Sequence, residues 1–199
     1  PTPYHGDFIT PEQIVPPAGL RDAAGEPLVW ESCVTMNNHW GYCATDHFFK
    51  PASLLIKKLV ECVSKGGNLL LNVGPDAQGR IPDQSLDILR EMGRWMERNG
   101  RSIYGCGPAG LEKPEFGRFT RRGNTLYYHV YENALGPLPV PGVDKGSILS
   151  IRRLADGTEA PLSTSWVHSD YPHLAFVNLG PDPVLPDEKD TVLEIQLRP

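Results

Sequence analysis

The chain has 199 residues, 40% of them hydrophobic, with 20 glycines, 20 prolines and a net charge of −5. This length suits one large or two smaller globular domains. There is no basic cluster to suggest nucleic acid as a partner, and no apolar run approaches the roughly 20 residues of a membrane span.

The chain opens on Pro1-Thr2-Pro3-Tyr4-His5, which reads as mid-chain sequence, so a fragment is expected and the compartment stays open. In "HGDFITPEQIVPP" (5–17), Phe8-Ile9 is expected to end a strand before the loop Thr10-Pro11-Glu12-Gln13. "LVWESCVTM" (28–36) is rich in strand formers and follows the breaker Gly25-Glu26-Pro27. A polar loop, "NNHWGYCATDHFFK" (37–50), comes next. Pro51 then opens a helix at its first position, with Leu55, Leu59, Cys62 and Val63 on one face and Gly66 as a left-handed stop.

"SKGGNLLLNVGPDAQGRIP" (64–82) holds an apolar run without period 2 or 3.6. It predicts a strand at about 68–73, covered on both faces as in a parallel sheet, then a Gly74-Pro75 turn. A second helix is predicted from Asp83 to Asn99-Gly100, with Leu86, Leu89, Met92, Gly93 and Met96 buried. Strand and helix in alternation mean parallel βα units. An eight-stranded βα barrel needs roughly 250 residues, so residues 1–107 would be only the C-terminal portion of one. Without upstream strands, an edge of the Leu69–Val73 strand would go unpaired.

Past Tyr104-Gly105 the helical periodicity ends. "FGRFTRRGNTLYYHVYE" predicts a hairpin around Arg122-Gly123-Asn124. "SILSIRRL", "LAFVNL" and "TVLEIQL" predict further strands, the last with one wet face. Residues 112–199 therefore read as an all-β domain, and the fold class is α/β plus all-β.

Loops after the strands form the reactive face of parallel βα architecture. Gly74–Arg80 is not a phosphate loop, since no Gly-Lys-Ser/Thr follows. The histidines lack zinc spacing, and no G-x-S-x-G elbow exists. The four cysteines, Cys33, Cys43, Cys62 and Cys106, show no C-x-x-C pair. Cys62 reads as a buried thiol, and pairing of Cys33 with Cys43 stays open. What remains is a carboxylate and an aromatic. Glu12 lies near Ile9, Ile14 and Val15, where desolvation would raise its pKa as a general acid requires. Trp40 could stack on the apolar patch of a sugar. Without further context, a loop glutamate is more often a solvated charge and a loop tryptophan a packing anchor. His39 and His47 share the Trp40 loop, where a solvated or hydrogen-bonded role is expected of each. Glu31 reads as a buried structural carboxylate.

"WESCVTMNNHWGY" (30–42), "SKGGNLLLNVGPDAQGRIP" (64–82) and "NGRSIYG" (99–105) closely resemble the α-L-fucosidases of glycoside hydrolase family 29. The resemblance covers about residues 5 to 105. It implies a (β/α)8-like barrel followed by a C-terminal β-sandwich. It also implies retaining hydrolysis of terminal α-L-fucose from an oligosaccharide or glycoconjugate, with no cofactor and no metal. "GDFITPEQ" resembles the stretch that carries the acid/base, which puts that role on Glu12. Trp40 matches an aromatic position facing fucose; His39 beside it is not fixed by the motif and is taken as a candidate for substrate binding. The nucleophilic aspartate belongs to an earlier strand and has no counterpart here. Asp7, Asp46 and Asp76 do not stand in for it, so the partner implied is the missing N-terminal barrel half. Asn72 is expected to tie loop backbone rather than touch sugar. Two other readings stay open. One is a non-catalytic carbohydrate-binding protein whose sandwich offers Tyr127, Tyr128, Trp166 and Tyr171 as a platform. The other is a family member whose upstream half has lost the aspartate.

Overall fold

A computed structural model describes residues 6–182 and 184–199. By contacts the chain divides into two units, one up to Arg94 and one from Trp95 onward.

The first unit is built around β1 (Glu31–Thr35). On one side β1 pairs in parallel with β2 (Asn68–Asn72), in register from Glu31↔Asn68 to Thr35↔Asn72. On the other side it takes parallel bridges at Ile9↔Trp30 and Glu12↔Cys33. Cys33 N there donates to Pro11 O at 2.9 Å, and Gln13 N donates to Cys33 O at 2.8 Å. Three parallel segments thus run side by side and end together.

The crossover from β1 to β2 carries α1 (Ala52–Ser64). Pro51 caps this helix in an extended conformation, one position before its first residue. Leu55, Ile56, Val60, Cys62 and Val63 are its buried face, while Leu59 is half-buried. The buried Cys62 thiol is pushed up to about 11 by desolvation, and all four cysteines are free.

The helix stops on two glycines with different tasks. Gly66 takes φ +78°. Its N–H reaches Val63 O at 3.0 Å and Gly67 N–H reaches Cys62 O at 2.9 Å, the Schellman pairing. Gly67 lies against the buried Trp30 indole, where a Cβ would sit 2.3 Å from ring atoms. The "KGG" of the apolar-run motif is therefore a helix stop followed by a seat for Trp30.

The sequence predicts β2 as covered on both faces. It is not covered within this chain: Leu70 is 45% exposed, and Leu69 and Leu71 are half-buried. β2 pairs with β1 only, so among the described residues its far edge has no partner. The run carries the apolar content of a sandwiched strand, and the described residues supply one paired strand, β1, and one packed helix, α1.

Next comes α2 (Asp83–Asn99). Ser85, Met92, Trp95 and Asn99 are its buried positions. Gly93, expected in the buried stripe, is exposed. Trp95, two positions further on, supplies buried bulk.

The second unit is antiparallel. Its strands are β3 (Gly107–Pro108), β4 (Gly117–Arg122), β5 (Thr125–Val130), β6 (Leu138–Asp144), β7 (Ile148–Arg153), β8 (Leu174–Val177) and β9 (Thr191–Leu197). Five form a sheet in the order β3-β4-β5-β9-β7, and β6 pairs with β8. The predicted hairpin is β4–β5, closed through Gly123 at φ +57°. Glycine at the first central position of a two-residue loop suits the primed turns whose twist matches the strands.

Phe119, Leu126, Tyr128, Leu193 and Ile195 of the sheet share one core with Leu138, Val140, Ala175 and Val177 of the pair. The wet face predicted for β9 is half-covered: Glu194 pairs with Arg101 at 2.8 Å, and Gln196 accepts from Thr125 Oγ1 at 3.0 Å. β6, "LPVPGVD", was not foreseen as a strand, since Pro139 and Pro141 argue against a ladder. It is short-paired and irregular between Val140 and Asp144.

A polar pair lies inside this unit. His129 Nδ1 and Asp190 Oδ2 are 2.6 Å apart and both side chains are fully buried. His129 Nε2 is 3.2 Å from Thr120 Oγ1, which donates to Ser102 O. Trp95 stacks tilted on His129, and its indole N–H reaches Asp190 O at 3.2 Å.

Candidate functional site

Parallel pairing puts the carboxyl ends of the three segments of the first unit at one end. There lie Glu12, the loop 37–50 after β1, and the loop 73–82 after β2.

The loop after β1 is held from within by a buried carboxylate. Asp46 Oδ2 accepts from His39 Nδ1 at 2.7 Å and from Asn38 N at 2.9 Å, and Asp46 Oδ1 accepts from Phe48 N at 3.0 Å. The His39 hydrogen bond, aided by these amides, holds the Asp46 carboxyl down to about 2 against the opposing effect of burial. The same bond raises His39 above the usual histidine range. Asp46 is thus an organiser of the loop. It leaves the His39 side chain half-exposed, with Nδ1 committed to the carboxylate.

The sign of each shift sets the pH window of this clasp. The His39 contribution is complete below the ordinary histidine value and is lost as pH rises through its raised one. The Asp46 contribution is present above the ordinary carboxylate value and is lost as pH falls toward about 2. An NMR titration should place His39 above an ordinary histidine, and Asp46→Asn should bring it back down. An unchanged His39 titration in that variant would remove the clasp.

The loop after β2 holds the first loop from outside. Asn72 Nδ2 donates to Trp40 O at 2.7 Å, so Asn72 ties backbone, as expected. A Cβ at Gly74 would meet Gly41 C at 2.6 Å and Tyr42 N at 2.7 Å. Only glycine lets the two loops lie this close. Trp40, 42% exposed, is thereby fixed at its main chain while its indole stays reachable. Asp76 is occupied in its own turn, accepting from Gln78 N and Arg80 N at 2.9 Å and from the Arg80 guanidinium. Those amides and that cation hold its carboxyl below the usual range.

Glu12 closes the parallel pairing of its segment with β1 and is exposed. The apolar surroundings expected from Ile9, Ile14 and Val15 do not enclose it in this chain, because Ile14 itself is 55% exposed. Glu31 is half-buried rather than buried. A pocket of about 110 Å³ opens between the two loops, lined by Asn37, Tyr42, Cys43, Asp46 and His47 among others. Neither Glu12 nor Trp40 lines it. It is smaller than the ~300 Å³ where ordinary ligand sites begin.

In the second unit the suggested aromatic platform does not assemble. Tyr127 and Tyr128 are fully buried, while Trp166 is 79% exposed and Tyr171 lies outside the core. Tyr128 packs on Phe119 at 4.7 Å between ring centroids. Two members of the set are core residues.

The solved structures that the chain resembles over nearly its whole length are glycoside hydrolases. An α-L-fucosidase isoenzyme of Paenibacillus thiaminolyticus matches with TM-score 0.94 and 50% identity, covering 98% of this chain and 46% of that one. An α-L-fucosidase of glycoside hydrolase family 29 from Bacteroides thetaiotaomicron, described as a trapped covalent intermediate, matches with TM-score 0.79 and 27% identity. That match covers 98% of this chain and 44% of that one.

The family model for α-L-fucosidase matches residues 2–101, and the chain belongs to this family. An α-L-fucosidase of Dictyostelium discoideum is 42% identical over 57% of this chain and 25% of its own length. The human plasma α-L-fucosidase is 40% identical over 50% of this chain and 21% of its own. The chain thus matches about a quarter or less of these two curated relatives.

Proposed function

We propose that this chain is the C-terminal portion of a retaining α-L-fucosidase, comprising the end of its (β/α)8-like barrel (residues 1–107) and its β-sandwich (112–199). The intact protein removes terminal α-L-fucose from an oligosaccharide or glycoconjugate. The observation that carries this reading is the match over 98% of the chain to a fucosidase at 50% identity. Glu12 and the Trp40 loop, gathered at the carboxyl ends of parallel segments, add to it.

In this mechanism Glu12, protonated, donates to the glycosidic oxygen as the bond to the anomeric carbon breaks. A carboxylate from the upstream half attacks that carbon, at the roughly 5–5.5 Å carboxyl spacing of retaining enzymes. Glu12, now ionised, then takes a proton from water as the water displaces the enzyme carboxylate. Trp40 walls the methyl side of the sugar, and His39 offers Nε2 to a hydroxyl. The upstream half also encloses Glu12, whose surroundings in this chain are open. It covers the outer edge and face of β2 as well.

The test is stereochemical. The intact protein, given 4-nitrophenyl α-L-fucoside in an NMR tube, should release α-fucose before mutarotation. The 199-residue chain alone should show no turnover above background. β-Fucose as the first product, or full activity from the chain alone, would overturn the reading.

A further inference from the structure

Among the described residues Gln13 is the one non-glycine with a positive φ, +59°. A glutamine backbone enters that region when its surroundings hold it there, and such residues concentrate at functional sites. Here the holding groups are visible. Gln13 N donates to Cys33 O at 2.8 Å. Its side-chain amide donates to Thr35 Oγ1 at 3.0 Å and accepts from Thr35 N at 3.3 Å.

Thr35 is itself a junction. Its hydroxyl donates to Asn37 O. Lys50 Nζ bridges Thr35 O and Asn37 O, each at 2.8 Å. Asn37 Oδ1 in turn accepts from His39 N at 3.2 Å. A continuous set of bonds therefore runs from the residue after Glu12, through the last residue of β1, into the backbone that carries His39 and Trp40.

A glutamine that merely satisfied the edge of β1 would need no left-handed backbone. The turn at Gln13 falls directly after Glu12↔Cys33, the last parallel bridge of its segment. It ends the pairing there, one residue beyond Glu12.

We propose that Gln13 is a positioning residue, and that its clamp on Thr35 sets the Glu12 carboxyl relative to the His39–Trp40 loop so that proton donor and sugar wall are held as one piece. This rests on the acid/base reading of Glu12 given above.

The test uses the intact protein and two substrates, 4-nitrophenyl α-L-fucoside and an alkyl or glycan fucoside whose poor leaving group needs protonation. Gln13→Gly removes the clamp while tolerating the left-handed backbone. It should lower kcat/KM on the poor leaving group about 10–100-fold, the size expected of a displaced catalytic group, and leave the nitrophenyl substrate within about twofold. Thr35→Val should reproduce that split and Thr35→Ser should restore activity, which covers the case in which Gln13→Gly fails to fold. Equal losses on both substrates would overturn the inference. Glu12→Ala is the reference. If it shows the split and the Gln13 and Thr35 variants do not, the inference alone fails. If Glu12→Ala shows no split, the acid assignment falls and takes the inference with it.

Discussion

In the intact protein, Glu12→Ala should cut kcat/KM on natural glycans by about 10²–10⁴-fold, the range that general acid catalysis supplies. The same substitution should leave kcat/KM on 4-nitrophenyl α-L-fucoside nearly untouched. Nitrophenolate departs without a proton, so the first displacement no longer needs the acid. The second displacement still needs a base, so kcat on the nitrophenyl substrate should fall and KM should fall with it as the fucosyl-enzyme accumulates. Azide needs no deprotonation and should restore kcat by trapping that intermediate as a fucosyl azide of retained configuration. Equal losses of kcat/KM on both substrates, or indifference to azide, would remove Glu12 from the acid/base role.

Asp190→Ala should destabilise the second unit by about 1–3 kcal/mol, the cost of leaving a buried hydrogen-bonding group without its partner. The side chains of His129 and Asp190 are fully buried at 2.6 Å separation, so the deletion takes from His129 Nδ1 its partner inside the core. The deletion also loosens a site shared by several elements, since Trp95 rests on both residues and His129 Nε2 faces Thr120. Asp190→Asn keeps the shape and one acceptor and should cost less. Urea unfolding of the full chain, followed by tryptophan fluorescence, measures both. A midpoint unchanged in Asp190→Ala would mean that the pair holds nothing.

The elements of the first unit were legible because punctuation marks them. Gly25-Glu26-Pro27, Pro51, Gly66 and Gly74-Pro75 bracket periodic or apolar runs and each lies just outside a strand or helix, although the turn expected at Gly74-Pro75 comes further on, at Ala77-Gln78. The β4–β5 hairpin was legible for the same reason. β6 was not, because Pro139 and Pro141 contradict a ladder locally and only pairing with β8 makes a strand of it.

Burial of β2 was misread because a triple leucine reports the neighbours it is built for, whichever chain segment brings them. In the site, Glu12, Trp40 and Asn72 were singled out as candidates by their place after strands and by family resemblance, and the bond of Asn72 to the Trp40 carbonyl is seen in the structure. The grip of Asp46 on His39 was not, although the two are only seven residues apart, since loop sequence does not reveal which polar side chains face inward. The left-handed backbone at Gln13 left no trace in composition. Glutamine has no preference for it, and the bonds that impose it come from a residue 22 positions on.

The free margin of β2 bears on how this polypeptide can be handled. Asn68 to Asn72 carries no charge, and on its open side its peptide groups face no partner among the described residues. A margin of that kind can accept any extended segment of matching hydrophobicity, a neighbouring copy included. A lysine at the exposed Leu70 would act as a gatekeeper against stacking.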